Sequence, residues 1–119
     1  MLGEWNKVNK YFNKKTIIDG ITFDSKKESV FYSELLLLKR AKLVKTIEMQ
    51  VPFLLQESFK KNGKTHRKIE YIADFVVEYA DGHTEVIDVK SEFTKKDKVY
   101  CIKKKLFEYK YPNLSLLER

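Results

Sequence analysis

Cysteine is almost absent. Cys101 is the only one in 119 residues, so no disulfide can form within the chain, and a reducing cytoplasm suits it best. It falls inside a helical pattern, where a small core or boundary residue is the ordinary role of an unpaired cysteine. Glycine (four) and proline (two) are equally scarce, which leaves little material for long flexible linkers. The longest apolar runs, 35–38 and 99–102, fall far short of the ~20 residues of a membrane helix. The first residues lack the apolar centre of a secretory signal. The expectation is a soluble cytoplasmic protein with no membrane contact. No Ser/His/Asp pattern suggests acyl transfer. His66 and His83 sit in or beside turns with no H-x-E or HNH-like surroundings, which makes both weak candidates for a ligand or base.

What the chain has is a core's worth of apolar residues (43%, with 13% aromatic) and much charge (34%). This length suggests one domain, with enough surface buried to stand without staples. The net charge of +7 points to a polyanionic partner, most often nucleic acid. The charge is unevenly placed. Residues 71–94 hold Asp74, Glu78, Asp81, Glu85, Asp88 and Glu92 against Lys90 alone, a local net of −5, so the other 95 residues carry +12. Segments 57–70 and 95–110 carry +3 and +5. Asp74 and Asp88 also interrupt apolar, strand-like runs.

Residues 1–15 read as a polar, basic lead-in, flexible in expectation. Thr16–Ile18 and Ile21–Phe23 read as a hairpin turning at Asp19-Gly20. A helix is expected over 26–41. Ser25 and Glu28 form an S-x-x-E capping box ahead of it, and Phe31, Leu35 and Leu38 form its apolar stripe. A strand over 45–58 contains Pro52, which implies an edge position or a bulge. A turn at 60–64 leads to a long strand over 65–79, and a turn at 80–83 to a strand over 84–90. The helix expected over 94–111 has the stripe Val99, Ile102, Leu106 and Tyr109, and Pro112 ends it. A short strand over 113–118 completes the order α-β-β-β-α-β after the first hairpin.

Alternation along strands puts Asp88 and Lys90 on one face. A two-residue loop at Asp81-Gly82 would set Asp88 opposite Phe75. A three-residue loop at 80–82, with Gly82 left-handed, would set it opposite Asp74. Both loops are common. Two carboxylates held together repel, and burial raises their cost; a divalent cation removes both problems. Carboxylate oxygens and waters are what Mg²⁺ prefers. Lys90 could touch a phosphate or a water at the metal. Glu28 shares a helix direction with Phe31, Tyr32 and Leu35, so it serves the metal site, the capping box, or both. The bland alternative for Asp74 and Asp88 is a structural ion pair with Lys90 or Lys68. Gln50 supports the site or caps an irregular edge.

Glu28 on a first helix, Asp74 on a strand, Asp88-Val89-Lys90 on the next and a Lys/Tyr-rich helix after it resemble the PD-(D/E)XK nuclease superfamily. More narrowly, "NKKTIIDGITFDSKKESVFYSELLLLKRA", "YIADFVVEYADG" and "YKYPNL" resemble a family of small phage and prophage proteins related to Holliday junction resolvases. Two departures stand out: Ala73 occupies the place of the name-giving proline, and the third acid is Asp88 rather than the commoner Glu.

The resemblance implies an α/β, restriction-endonuclease-like core with a mixed central sheet flanked by two helices. Asp74, Asp88 and the Val89 carbonyl would ligate Mg²⁺ or Mn²⁺, and Glu28 would hold a water at the metal or a second ion. Lys90 would orient the attacking water and stabilise charge on the phosphorane. Lys104 and Tyr100 would approach the scissile backbone, and Lys60, Lys61, Arg67, Lys96, Lys98 and Lys103 would join them on DNA. The implied activity is metal-dependent DNA hydrolysis, with a four-way junction as substrate, a homodimer as the acting form and no organic cofactor. A nicking or end-processing nuclease, and a non-catalytic nucleic-acid-binding protein of the same fold, are the alternatives.

Overall fold

The computed structural model describes residues 16–18, 20–23 and 25–119. The lead-in at 1–15 and the turn residue Asp19 lie outside the described residues. The chain forms two compact units, Met1–Val44 and Lys45–Arg119. No described helix is long and apolar enough to cross a membrane.

In the N-terminal unit β1 (Thr16–Ile18) pairs antiparallel with β2 (Ile21–Phe23), Ile18 opposite Ile21, and Gly20 takes φ +77 in the turn. Helix α1 (Lys26–Arg40) starts at Ser25, whose Oγ accepts the Glu28 amide at 3.1 Å. At its other end the Lys42 amide reaches Lys39 O and the Leu43 amide reaches Leu38 O, each at 3.0 Å, with Lys42 at φ +62. This is a Schellman stop with lysine where glycine is usual. The buried face is Glu28, Ser29, Tyr32 and Leu35. The expected stripe is therefore rotated: Phe31 is half-buried and Leu38 is exposed. The cause is that Tyr32, not Phe31, meets Phe23 of β2, with ring centroids 5.1 Å apart.

The C-terminal unit is an α/β layer built on a four-stranded mixed sheet, in the order β3 (Val44–Gln56), β6 (Ile69–Tyr79), β7 (Thr84–Asp88) and β8 (Leu116–Glu118). Strand β3 (Val44–Gln56) is an edge strand. It tolerates Pro52, and Gln50, two residues earlier, takes φ +52, so position and irregularity both accommodate the proline. The expected strand over 65–79 is two elements. Strands β4 (Phe59–Lys61) and β5 (Lys64–His66) form a separate two-stranded ribbon, and β6 (Ile69–Tyr79) begins after Arg67-Lys68. Asn62 and Gly63, at φ +53 and +74, make the ribbon's two-residue turn, the conformation that Asn-Gly favours.

Strand β7 (Thr84–Asp88) runs antiparallel to β6, and β8 (Leu116–Glu118) runs parallel to β7. The helix expected over 94–111 is also two: a single turn, α2 (Glu92–Lys95), then α3 (Lys98–Lys110). Asp97 causes the break, because its carboxylate caps α3 by accepting the Tyr100 amide at 3.0 Å.

The core of this unit is Tyr71, Ala73, Val86, Tyr100, Phe107 and Leu116. Phe107 is fully buried between the rings of Phe53, Tyr71 and Tyr111, at centroid distances of 4.9, 5.4 and 5.3 Å. The expected stripe of α3 is the wrong one: Val99, Ile102, Leu106 and Tyr109 are all exposed. Two stripes of the same period lie about 100° apart on this helix. Tyr100 and Phe107 pack into the aromatic core instead, while Lys103 and Lys104 lie half-buried beside them, as long lysine stems allow. Cys101 is exposed, and its thiol donates to Lys95 O.

Candidate metal centre

The loop between β6 and β7 decides the site. The Gly82 amide donates to Tyr79 O and the Tyr79 amide to His83 O, each at 2.9 Å. Gly82 takes φ +97, and the Asp81 carboxylate accepts the His83 amide. This is the three-residue loop. It pairs Glu78 with Thr84, Val76 with Val86 and Phe75 with Ile87, so the next step of the register sets Asp74 opposite Asp88. There the ladder's bonds pass to side chains. The Asp74 amide donates to Asp88 Oδ1 and the Val89 amide donates to Asp74 Oδ2, both at 2.9 Å.

Both carboxylates are buried, Asp88 completely. Asp88 Oδ2 has no hydrogen-bond partner among the described residues. Burial, the largest influence, holds the Asp88 carboxyl above the ordinary carboxylate range. The Asp74 amide and the charges of Lys90 and Lys104 pull it back, and Glu118 adds to the rise. Lys90 Nζ lies 3.7 Å from Asp74 Oδ2 and 5.6 Å from the centroid of the Tyr100 ring, with its side chain only 22% exposed.

A third acid, Glu118, stands beside Asp88 in the parallel register of β7 and β8. Its carboxylate accepts the Tyr100 hydroxyl at 2.6 Å and pairs with Lys104 Nζ at 3.2 Å. The bond from Tyr100 is the main reason its carboxyl sits below the ordinary range, helped by Lys104. Burial, then the same bond, push the Tyr100 phenol above its ordinary value, so it is a hydrogen-bond donor and not a base. Tyr100 and Lys104, expected on the DNA backbone, are thus both held on Glu118. Sequence reading missed Glu118 because its place depends on a parallel pairing of two distant strands; the signal was an acid closing the last apolar run.

Of the remaining expected residues, Lys60 and Lys61 lie on β4, Arg67 between β5 and β6, and Lys96 and Lys98 at the α2–α3 junction, all exposed. Glu28 is buried in the first turn of α1 within the N-terminal unit. Gln50 is exposed on β3, where its backbone is left-handed.

The residues fit a hard divalent ion. Two converging carboxylates and one buried, unpartnered oxygen are what Mg²⁺ or Mn²⁺ would satisfy with waters completing the shell. Among the described residues no group of three or more His, Cys, Asp or Glu is arranged to hold an ion; Glu118 is turned to Tyr100 and Lys104 instead.

Glu118 gives a pH signature. Its folded carboxyl is depressed, so its contribution is present above ~4.3, the unfolded value, and is lost as pH falls through the folded one. Glu118→Gln should remove that dependence and cost roughly 1.5 kcal/mol at neutral pH, the low end for a charged hydrogen bond that is partly solvated. Urea denaturation of both proteins from pH 3 to 7 checks this: the two curves should converge at low pH.

The molecule is thus an α/β protein with a mixed sheet and a buried carboxylate pair beside a lysine. Residues 8–118 match the model of a family described as "Protein of unknown function (DUF1064)", and the chain belongs to that family. No curated protein matches its sequence.

Proposed function

We propose that the protein is a metal-dependent DNA endonuclease on a restriction-endonuclease-like core, with branched DNA, above all the four-way junction, as its substrate. The observation that carries this is the Asp74/Asp88 pair, clasped by reciprocal backbone bonds, with a free buried oxygen and the Lys90 ammonium alongside. The order α1-β3-β6-β7-α3-β8, with the ribbon and the single-turn α2 set aside, supports the core.

Asp74, Asp88 and the Val89 carbonyl would hold Mg²⁺ or Mn²⁺, whose chemistry is to neutralise the phosphodiester's charge and make hydroxide available near neutral pH. Lys90, steadied by Asp74 and the Tyr100 ring, orients the attacking water and meets the charge that builds on the phosphoryl oxygens. Glu118 fixes Tyr100 and Lys104 behind it. A symmetric junction needs two matched nicks, which calls for a twofold dimer. The exposed stripe of α3 offers apolar surface for a second copy.

The test incubates labelled four-way junction, duplex and single strand with Mg²⁺ or EDTA, and measures the protein's mass by light scattering. Junction cleavage only with Mg²⁺, by a dimer, is expected. Cleavage confined to nicks or ends would make the protein a processing nuclease. Binding without any cleavage would make it a non-catalytic DNA-binding protein.

A further inference from the structure

The β4–β5 ribbon is separate from the four-stranded sheet, and residues 56–69 are exposed throughout. Residues 59–68 hold Lys60, Lys61, Lys64, Arg67 and Lys68 and no acid. Lys68 pairs with Glu70 at 3.4 Å; among the described residues the other four pair with no carboxylate. The ribbon's register puts Phe59, Lys61, Lys64 and His66 on one face and Lys60 and Thr65 on the other. The Phe59 and His66 rings stack across the two strands, with centroids 4.7 Å apart and planes at 14°. That stack stiffens a hairpin too short to hold itself.

We propose that this ribbon enters the major groove of duplex DNA. The idea rests on the reading of DNA as the substrate. Three-residue strands reach roughly 10 Å, against a major groove about 8.5 Å deep and about 12 Å wide that admits a two-stranded ribbon. A ribbon in a groove lies between two phosphate walls, and this one presents cations on both faces. Asn62, at its tip, carries the amide that reads adenine edges in that groove. An apolar or basic partner would leave the lysines without a role.

The test compares native protein with Lys61→Ala/Lys64→Ala in Ca²⁺, which is expected not to support cleavage. Affinity for a duplex and for a single strand is measured from 50 to 200 mM salt. Methyl green, which occupies the major groove, and distamycin, which occupies the minor groove, serve as competitors. Both substituted residues are exposed, so unchanged melting confirms that the variant is folded. The variant should bind duplex roughly tenfold more weakly, with a log–log salt slope smaller by about 2, the loss of two phosphate contacts. Its single-strand binding should be unchanged, and methyl green rather than distamycin should displace the native protein. Equal duplex affinity and slope would take the ribbon off DNA. An equal loss on both substrates, or competition by distamycin alone, would make it a charged patch and not a major-groove element. If native protein binds no DNA, the substrate reading fails and this inference falls with it; if only the variant's loss is missing, that reading stands.

Discussion

In EDTA at neutral pH, Asp88→Asn melts above the native protein, by about 2–8 °C for each kcal/mol gained in a domain of this size, and no longer responds to Mn²⁺. The native residue is a fully buried carboxylate facing Asp74, with one oxygen unpartnered. Asparagine keeps the acceptor for the Asp74 amide and removes the charge that burial disfavours. The pH dependence comes from the sign of the shift. Because the folded carboxyl is raised, the stability tied to its protonated form is present below ~3.9, the unfolded value, and is lost as pH rises through the folded one. The gap between variant and native protein should therefore open from pH 4 to 7 and close in acid. Divalent ions should reverse the order, since a ligand at about a hundred times its dissociation constant stabilises the native state by about 2.7 kcal/mol. Thermal melts in EDTA and in Mn²⁺ decide it. A variant that melts lower in EDTA would mean the carboxylate's bonds outweigh its burial; one that still responds to Mn²⁺ would place the ion elsewhere.

Lys90→Ala should lose cleavage by roughly a hundredfold or more, the usual cost of removing one well-placed charge donor from a site poor in water, while still binding junction DNA in Ca²⁺. The ammonium lies 3.7 Å from Asp74 Oδ2 and above the Tyr100 ring. A group so placed acts chiefly when charge develops on the phosphate, and only interactions stronger in the transition state speed the chemical step. Single-turnover rates and Ca²⁺ binding isotherms separate the two effects. Near-native cleavage would make Lys90 a structural counter-ion to Asp74. Slow cleavage that tracks lost binding would make it a phosphate anchor.

The elements that punctuation announces were legible in the sequence. The Asp-Gly and Asn-Gly turns, the Ser25 cap and the Pro52 edge strand all arise from one or two residues acting locally. Asp74 and Asp88 were visible as acids in apolar strands. Their meeting was not, because two loop lengths were equally available to the chain around Gly82, and each gives a different partner for Asp88. Burial on α3 was misread because a helix with two stripes of equal period does not declare which one meets the sheet, and four aliphatic or aromatic side chains on the exposed stripe looked the better choice. The break at Lys96-Asp97 hid for a related reason: an aspartate inside a basic helical run reads as a surface charge until its carboxylate is seen to cap α3. Glu118 depended on a parallel neighbour 30 residues away in the chain, beyond the reach of local pattern.

The exchange of ladder bonds for carboxylate bonds at the end of the β6–β7 hairpin makes two backbone amides into witnesses. In most sheets an amide proton reports on the strand that holds it. Here the protons of Asp74 and Val89 rest on the same two carboxylates that a cation or a solvent proton would claim. Their nuclear magnetic resonance frequencies and solvent-exchange rates therefore track the occupancy of the carboxylates directly, with no label, substrate or turnover required.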